Sequence, residues 1–263
     1  MKAKSRHERE IWISGYNPVK EALHSQSVAI RELVMTRKDQ RAAQLVFMAK
    51  ERGITVRQET FDALSALLGN THHQGVALLS EEFRYTLLEK FLECTIEERQ
   101  PLLILDSVQD PQNMGALIRT ACFLGLKGMI IPRDRSATIT GTVIKIASGA
   151  TAYLPIIQVI NLAQTLQQLK DGGLWIIGMD VEGDQTLYEV DLALPLALVV
   201  GNEQKGLRPL IRKTCDFLVR IPATGPLQSL NAATAGAIAM AEVQRQQLAA
   251  RKLVLSRTAP YQS

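Results

Sequence analysis

Asn113, Gly115 and Arg119 fall within one short stretch, DPQNMGALIRTA, where capping residues and helical periodicity overlap. Asp110 and Pro111 supply a helix start, because aspartate caps well and a first-turn proline gives up no helical hydrogen bond. At about 100° per residue, Met114, Leu117, Ile118, Ala121 and Leu124 share one apolar face. Arg119 points nearly opposite, with Gly115 one turn earlier beside it. A bulky group could therefore approach bare backbone next to a guanidinium, whose fixed fork of donors suits phosphate or carboxylate. An ordinary solvated arginine fits the same spacing.

A second stretch, LALVVGNEQKGLRP, ends an apolar strand at Gly201 and sets Asn202, Glu203, Gln204 and Lys205 before Gly206. Amide and carboxylate side chains between two glycines can present polar groups and backbone to a nucleoside; a plain strand-to-helix turn is the simpler alternative. It is not the phosphate loop of nucleotide hydrolases, since Leu207 rather than lysine follows Gly206. A third stretch, IPATGPLQSLNAATAGA, carries Ile221, Pro222, Ser229, Leu230 and Asn231 into a helix of very small residues. Ser229 or Asn231 could be no more than a cap, and the small residues permit close helix contact within the fold or across a dimer. His72 and His73 lack partners at ligand spacing, so no metal site is expected, and Cys122 reads as a packing cysteine.

Each stretch is a strand, a polar turn and a helix, and open α/β sheets bind ligands outside the carboxyl ends of their strands. The elements needed to position them are legible. Residues 1–79 form a small α/β unit: helices Tyr16–Leu23, Gln40–Lys50 and Phe61–Leu68 alternate with strands Ile30–Met35, Ile54–Val56 and Val76–Leu79, which implies a largely parallel sheet. Residues 80–100 interrupt that rhythm as a linker with some helical character. From Pro101 the alternation restarts, giving a second domain over 101–256 and a tail at 257–263. Its strands are Leu102–Leu105, Gly128–Ile131, Leu174–Gly178, Leu196–Val200 and Phe217–Ile221. Its helices are the opening stretch, Thr140–Ala147, Leu162–Leu169 and Asn231–Ala250.

Charge divides along the same lines. Residues 1–79 carry 12 Lys+Arg against 8 Asp+Glu, residues 80–100 carry 3 against 6, and the rest 15 against 12. Two mildly basic regions suit a polyanionic partner. No apolar run reaches the roughly 18–20 residues that span a membrane. An N-terminus with no apolar h-region, and Glu8 and Glu10 near its start, argues against a secretory signal or transit peptide. Three cysteines, Cys94, Cys122 and Cys215, form no even or metal-like set, which points to a reduced cytoplasm.

Taken together, the three stretches resemble the three motifs of the SpoU (TrmH) family of RNA ribose 2′-O-methyltransferases, within the SPOUT superfamily. Asn-x-Gly-x-x-x-Arg is matched by Asn113, Gly115 and Arg119; Gly-x-Glu-x-x-Gly by Gly201, Glu203 and Gly206. Ile-Pro followed by Ser-Leu-Asn is matched by Ile221, Pro222, Ser229, Leu230 and Asn231. Ser14–Leu23 and His73–Val76 resemble the ribosomal-protein-like substrate-binding domain of members that modify large-subunit rRNA.

The resemblance implies an α/β fold whose C-terminal parallel-sheet domain holds a deep trefoil knot, S-adenosylmethionine bound in that knot, and a homodimer. It implies that Gly201, Asn202, Ile221 and Leu230 hold the methyl donor, while Asn113, Arg119, Glu203, Ser229 and Asn231 surround the target ribose. Lys20, Arg37, Lys38 and Arg119 are expected to meet RNA phosphates. A guanidinium has no lone pair to spare for a proton, so Arg119 is expected to orient the hydroxyl and stabilise the alkoxide. Large-subunit rRNA guanosine is the leading target. A tRNA methyltransferase and a non-catalytic RNA-binding or ribosome-assembly protein of the same fold are the alternatives.

Overall fold

The computed structural model describes residues 10–24, 29–98 and 100–258. The predicted tail therefore lies largely outside the described residues, as does the N-terminal segment before Glu10. By contact the chain divides into two compact units. One takes in the chain up to Tyr85 together with Thr138–Tyr153; the other takes in Thr86–Ala137 and the chain from Leu154 onward.

The first unit begins with β1 (Glu10–Ser14), α1 (Tyr16–His24), β2 (Ile30–Met35), α2 (Gln40–Glu51), β3 (Thr55–Gln58), α3 (Phe61–Leu68) and β4 (Val76–Glu81). Asp39 and Thr60 start α2 and α3 by accepting hydrogen bonds from the amides of Ala42 and Ala63. The sheet order is β1-β4-β2-β3. Only β2 and β3 run parallel, and β4 is antiparallel to both its neighbours. The expected parallel sheet fails here for a local reason. After α3 the chain passes to the far side of β2 and, through Gly69, Gln74 and Gly75, all at positive φ, turns to enter β4 antiparallel to it.

The second unit opens with α4 (Leu88–Glu98), inside the segment read as a linker. Phe91 is 5% exposed and packs in the unit's core with Leu88 and Leu92 against it, which the acidic composition hides. Then follow β5 (Leu102–Asp106), α5 (Pro111–Phe123) and β6 (Met129–Pro132). The next helix, α6 (Gly141–Ile146), belongs to the first unit, and a Cβ on Gly141 would come within 2.1 Å of the Trp12 carbonyl oxygen. The second unit resumes with β7 (Ile156–Val159), α7 (Leu162–Asp171), β8 (Trp175–Met179), the short β9 (Gln185–Thr186) and β10 (Leu196–Gly201). It ends in α8 (Pro209–Thr214), β11 (Phe217–Arg220) and α9 (Ala232–Thr258).

Its sheet has seven strands in the order β7-β6-β5-β10-β8-β11-β9, and every pairing is parallel. The chain lays β5, β6 and β7 outward in one direction. It then crosses back, leaving beside β5 a slot that β10 later fills. Every residue of β5 and of β10 is buried, as expected for strands covered on both faces. Helix α9 lies against α5 and β10. A Cβ on Gly236 would approach Leu117 Cδ2 to 2.5 Å, so the small residues of α9 serve a helix contact within this unit.

Candidate functional site

Asp106 and Gly201 are paired across the central ladder of β5 and β10, and beyond them the two chains diverge. One passes through Ser107 (φ 68°) to Asp110, whose side chain accepts from the Gln112 amide and starts α5. The other folds into a tight loop in which Asn202 and Gly206 exchange both backbone hydrogen bonds, 3.0 Å each. The Asn202 side-chain oxygen accepts from the amides of Gln204 and Lys205, and its Nδ2 donates to the Ser107 carbonyl at 2.9 Å. A Cβ on Gly201 would meet backbone atoms of Gly206 and Leu207 at 2.4–2.6 Å, so the loop can fold back on the strand end only over a glycine.

Three distant stretches meet above this point. Asn231 starts α9: its Oδ1 accepts from the amides of Ala233 and Thr234. With that oxygen committed, its Nδ2 donates to Asn113 Oδ1 at 2.8 Å, and Asn113 Nδ2 donates to Glu203 Oε1 at 2.8 Å. Asn202 Nδ2 reaches the other carboxylate oxygen at 3.2 Å. The result is a directional relay from a helix N-terminus to a carboxylate, and the helix dipole adds a favourable field for negative charge at its end.

Alongside lies a cleft of about 1000 Å³ lined by Met179–Glu182, Val200–Leu207, Val219–Ala223 and Gly225–Leu230, among others. Gly201, Asn202, Glu203, Ile221, Ser229 and Leu230 all line it. Asn113 is buried and Asn231 exposed, and both join the site through hydrogen bonds to Glu203 or to each other.

Arg119 stands apart from that set. It is exposed on α5 and is not among the lining residues, whereas Met114, Leu117, Ile118 and Ala121 are fully buried as the periodicity requires. Six residues after Asn113 at about 100° each carries it roughly a third of a turn around the helix. Gly115 is buried, so the bare position offers no open approach from solvent. Lys20 is half-buried and Arg37 and Lys38 are exposed on the first unit, with Arg37 paired to Asp39. Among the described residues no group of three or more His, Cys, Asp or Glu could hold a metal ion. None of their helices is long and apolar enough to cross a membrane.

Sequence reasoning missed several polar residues here. Asp106 is fully buried; its Oδ2 accepts from the Arg208 amide at 2.7 Å and its Oδ1 from Arg208 Nε at 2.5 Å. A carboxylate closing the apolar run LLIL was the available signal, since such a group is buried only when paired. On the cleft wall Arg212 Nε donates to Asp180 Oδ2 at 2.7 Å, and its Nη2 lies 3.5 Å from Glu182 Oε2.

A doubly covered parallel sheet with a cleft past its carboxyl edge defines an α/β protein that binds a small ligand at the strand ends. The SpoU rRNA methylase family model matches residues 100–241, and a model described as RNA 2′-O ribose methyltransferase substrate binding matches residues 12–86. The chain belongs to the SpoU family. Among its relatives, the 23S rRNA (guanosine-2′-O-)-methyltransferase RlmB of Xanthomonas campestris is 38% identical, over 91% of this chain and 98% of that protein. A tRNA/rRNA methyltransferase of a Mycobacterium species (strain KMS) is 36% identical, over 93% of this chain and 79% of the relative. An AdoMet-bound rRNA methyltransferase structure from Sinorhizobium meliloti superposes with a TM-score of 0.78 at 25% identity, covering 91% of this chain and 88% of that one.

Proposed function

We propose that this chain methylates the ribose 2′-hydroxyl of a guanosine in large-subunit rRNA, with S-adenosylmethionine as donor. The observation that carries the reading is the relay Asn231–Asn113–Glu203, which draws all three family motifs to one cleft. The RlmB relative's name supplies the target class, and the donor in the Sinorhizobium structure supplies the small molecule.

The residues present fit that donor. The cleft is large enough for a nucleoside-sized ligand, mixes apolar walls with fixed polar groups, and is closed at its base by the glycine that lets the loop fold back. Gly201, Asn202, Ile221 and Leu230 would hold it. When bound it supplies an electrophilic methyl on a sulfonium. The chain's own work is then alignment of a hydroxyl and stabilisation of negative charge on its oxygen. Asn113, Glu203, Ser229 and Asn231 orient the ribose, Glu203 doing so with both carboxylate oxygens already held by amide donors. The resemblance, and not the cleft lining, assigns Arg119: from its exposed position on α5 it would contact the hydroxyl and an adjoining phosphate of bound RNA and stabilise the alkoxide, the hydroxyl proton passing to water. RNA is the substrate because it alone carries the 2′-hydroxyl.

The same reading takes the second unit as a deep trefoil knot, which the late insertion of β10 between β5 and β8 supports. It takes residues 1–79, joined through 80–100 to the catalytic domain at 101–256, as a ribosomal-protein-like domain meeting RNA through Lys20, Arg37 and Lys38. The working protein is a homodimer of the cytoplasm. Transfer of radiolabelled methyl to purified rRNA and tRNA, followed by mapping of the labelled nucleotide, tests the proposal. Label on a guanosine of 23S rRNA supports it. Label confined to tRNA moves the function to the tRNA alternative, and none on either from folded protein leaves a non-catalytic RNA binder.

A further inference from the structure

Glu203 sits at the tip of a loop that needs two anchors. Its entry is fixed by the β5–β10 ladder, where Gly201 pairs with Asp106. Its exit is Arg208, the residue before α8; Leu207, buried in the core, anchors the chain just before it, and a polar tie must hold Arg208 itself. Asp106 supplies it: one carboxylate oxygen takes the Arg208 amide and the other takes the Arg208 guanidinium, with Ser107 Oγ also donating to it at 3.3 Å. Ser107 in turn gives its carbonyl to Asn202 Nδ2. Entry and exit of the loop are thus both tied to the two residues that begin the path to Asn113. Neither Asp106 nor Arg208 lines the cleft, although Gly201, paired with Asp106, and Leu207, next to Arg208, both do.

We propose that Asp106 and Arg208 are positioning residues, whose pair, buried on the Asp106 side and half-buried on the Arg208 side, holds the Glu203 loop in register with Asn113. The role rests on the methyltransferase reading only for its consequence; the geometric part stands by itself. A carboxylate with no exposed surface cannot be re-solvated if its partner is lost, so the pair acts as a fixed strut and not as a surface ion pair. Arg208→Met keeps the amide bond to Asp106 and removes only the guanidinium. Asp106→Asn keeps the shape and removes the charge.

Two measurements on the full chain test this. In methylation kinetics, Arg208→Met is expected to lower kcat about tenfold with KM for RNA changed less than about twofold, and Arg208→Lys to recover part of the loss. On a Glu203→Gln background the same substitution should cost less than about twofold, because residues acting through one another are not additive. An undiminished tenfold cost there, or a kcat loss that matches the loss of folded protein, overturns the proposal. In asparagine-labelled protein without donor or RNA, the Asn113 side-chain amide resonance in Arg208→Met and Asp106→Asn should move toward its position in Glu203→Ala. A resonance that stays at its wild-type position sinks the idea. Should wild-type protein methylate nothing, the proposed function fails while the resonance still decides the strut.

Discussion

Two turns in this molecule use similar parts to opposite ends. In the first unit, His73–Gln74–Gly75 leads into β4; in the second, Gly201–Gly206 leads out of β10. Both contain a glycine that a Cβ would spoil and a side-chain amide that satisfies backbone. In the first turn every polar bond ends on nearby structure. Gln74 Oε1 accepts from the Tyr16 amide, and His73 Nδ1 accepts from the Gly75 amide. The second turn does the same through Asn202 but adds a side-chain relay joining residues 90 and 118 positions apart. Side chain–side chain bonds are a small minority of protein hydrogen bonds, and a chain of them beside a cleft fixes functional groups and not merely backbone. A turn whose bonds close on its own surroundings is scaffold; one whose bonds run on into a cleft is a site.

Activity should be concentrated around the second turn and the Arg119 that the resemblance adds to it. The largest effect belongs to Arg119→Ala, which should reduce methyl transfer on the order of 10²–10³-fold, with Arg119→Lys intermediate because charge survives without the fork. Wild-type turnover in the alanine variant would remove Arg119 from the mechanism. Next comes Gly201→Ala. Its Cβ collides with backbone, which cannot rotate away, so a loss of about 1–3 kcal/mol is expected together with weakened S-adenosylmethionine binding. Gly75→Ala meets chiefly side-chain atoms of Arg37 and Thr36, though at φ 73° it is strained as well. Denaturant melts and calorimetric titration with the donor separate the two: Gly75→Ala should lose stability with donor affinity intact. Equal loss of affinity in both would erase the distinction between scaffold and site.

What the sequence disclosed follows from the same distinction. Helix α5, with its cap and buried face, was legible because periodicity and capping are local. So were β5 and β10, as apolar runs buried on both faces. Neither β1, only partly buried, nor the four-residue β7 has a pattern that stands out from its surroundings. The antiparallel course of β4 depends on a reversal through positive-φ residues, one of them Gln74, which no propensity marks. In the site, the resemblance names Asn113, Glu203 and Asn231 as residues around the ribose, but neither it nor their spacing discloses the hydrogen bonds that join them. The Asp106–Arg208 pair joins residues 102 apart and has no local signature beyond a carboxylate ending an apolar strand.

The first unit's contribution to RNA binding should be smaller and of another kind. Replacing Lys20, Arg37 and Lys38 together with alanine should weaken RNA binding at all sequences alike. It should also flatten the salt dependence, each lost phosphate contact removing about 0.7 from the log–log slope for single strands. Turnover at saturating RNA should hold. Arg37 is already paired with Asp39, so its share is expected to be the least. Affinities measured across a salt series check this, and an unchanged slope would show that these cations meet no phosphate.

The smallest effect concerns the first turn itself. His73 is fully buried, and because its Nδ1 accepts the Gly75 amide, its Nε2 must carry the proton and donate to Ser65 Oγ at 2.9 Å. Burial, and then the charge of Lys145, hold its pKa below the ordinary histidine value. The native state therefore keeps the ring neutral while the unfolded chain takes up a proton near its ordinary pKa of about 6.5. The stability that this contributes is complete above that pH and is lost as pH falls through it toward the lower native value. His73→Gln should cost roughly 1–3 kcal/mol at pH 7.5, through lost hydrogen bonds in a buried place, yet decline less than wild type between pH 7.5 and 5.5. Parallel declines in urea melts at the two pH values would mean that other groups govern the acid limb. Methyl transfer at saturating RNA and pH 7.5 should be unaffected, because every bond His73 makes ends inside its own scaffold.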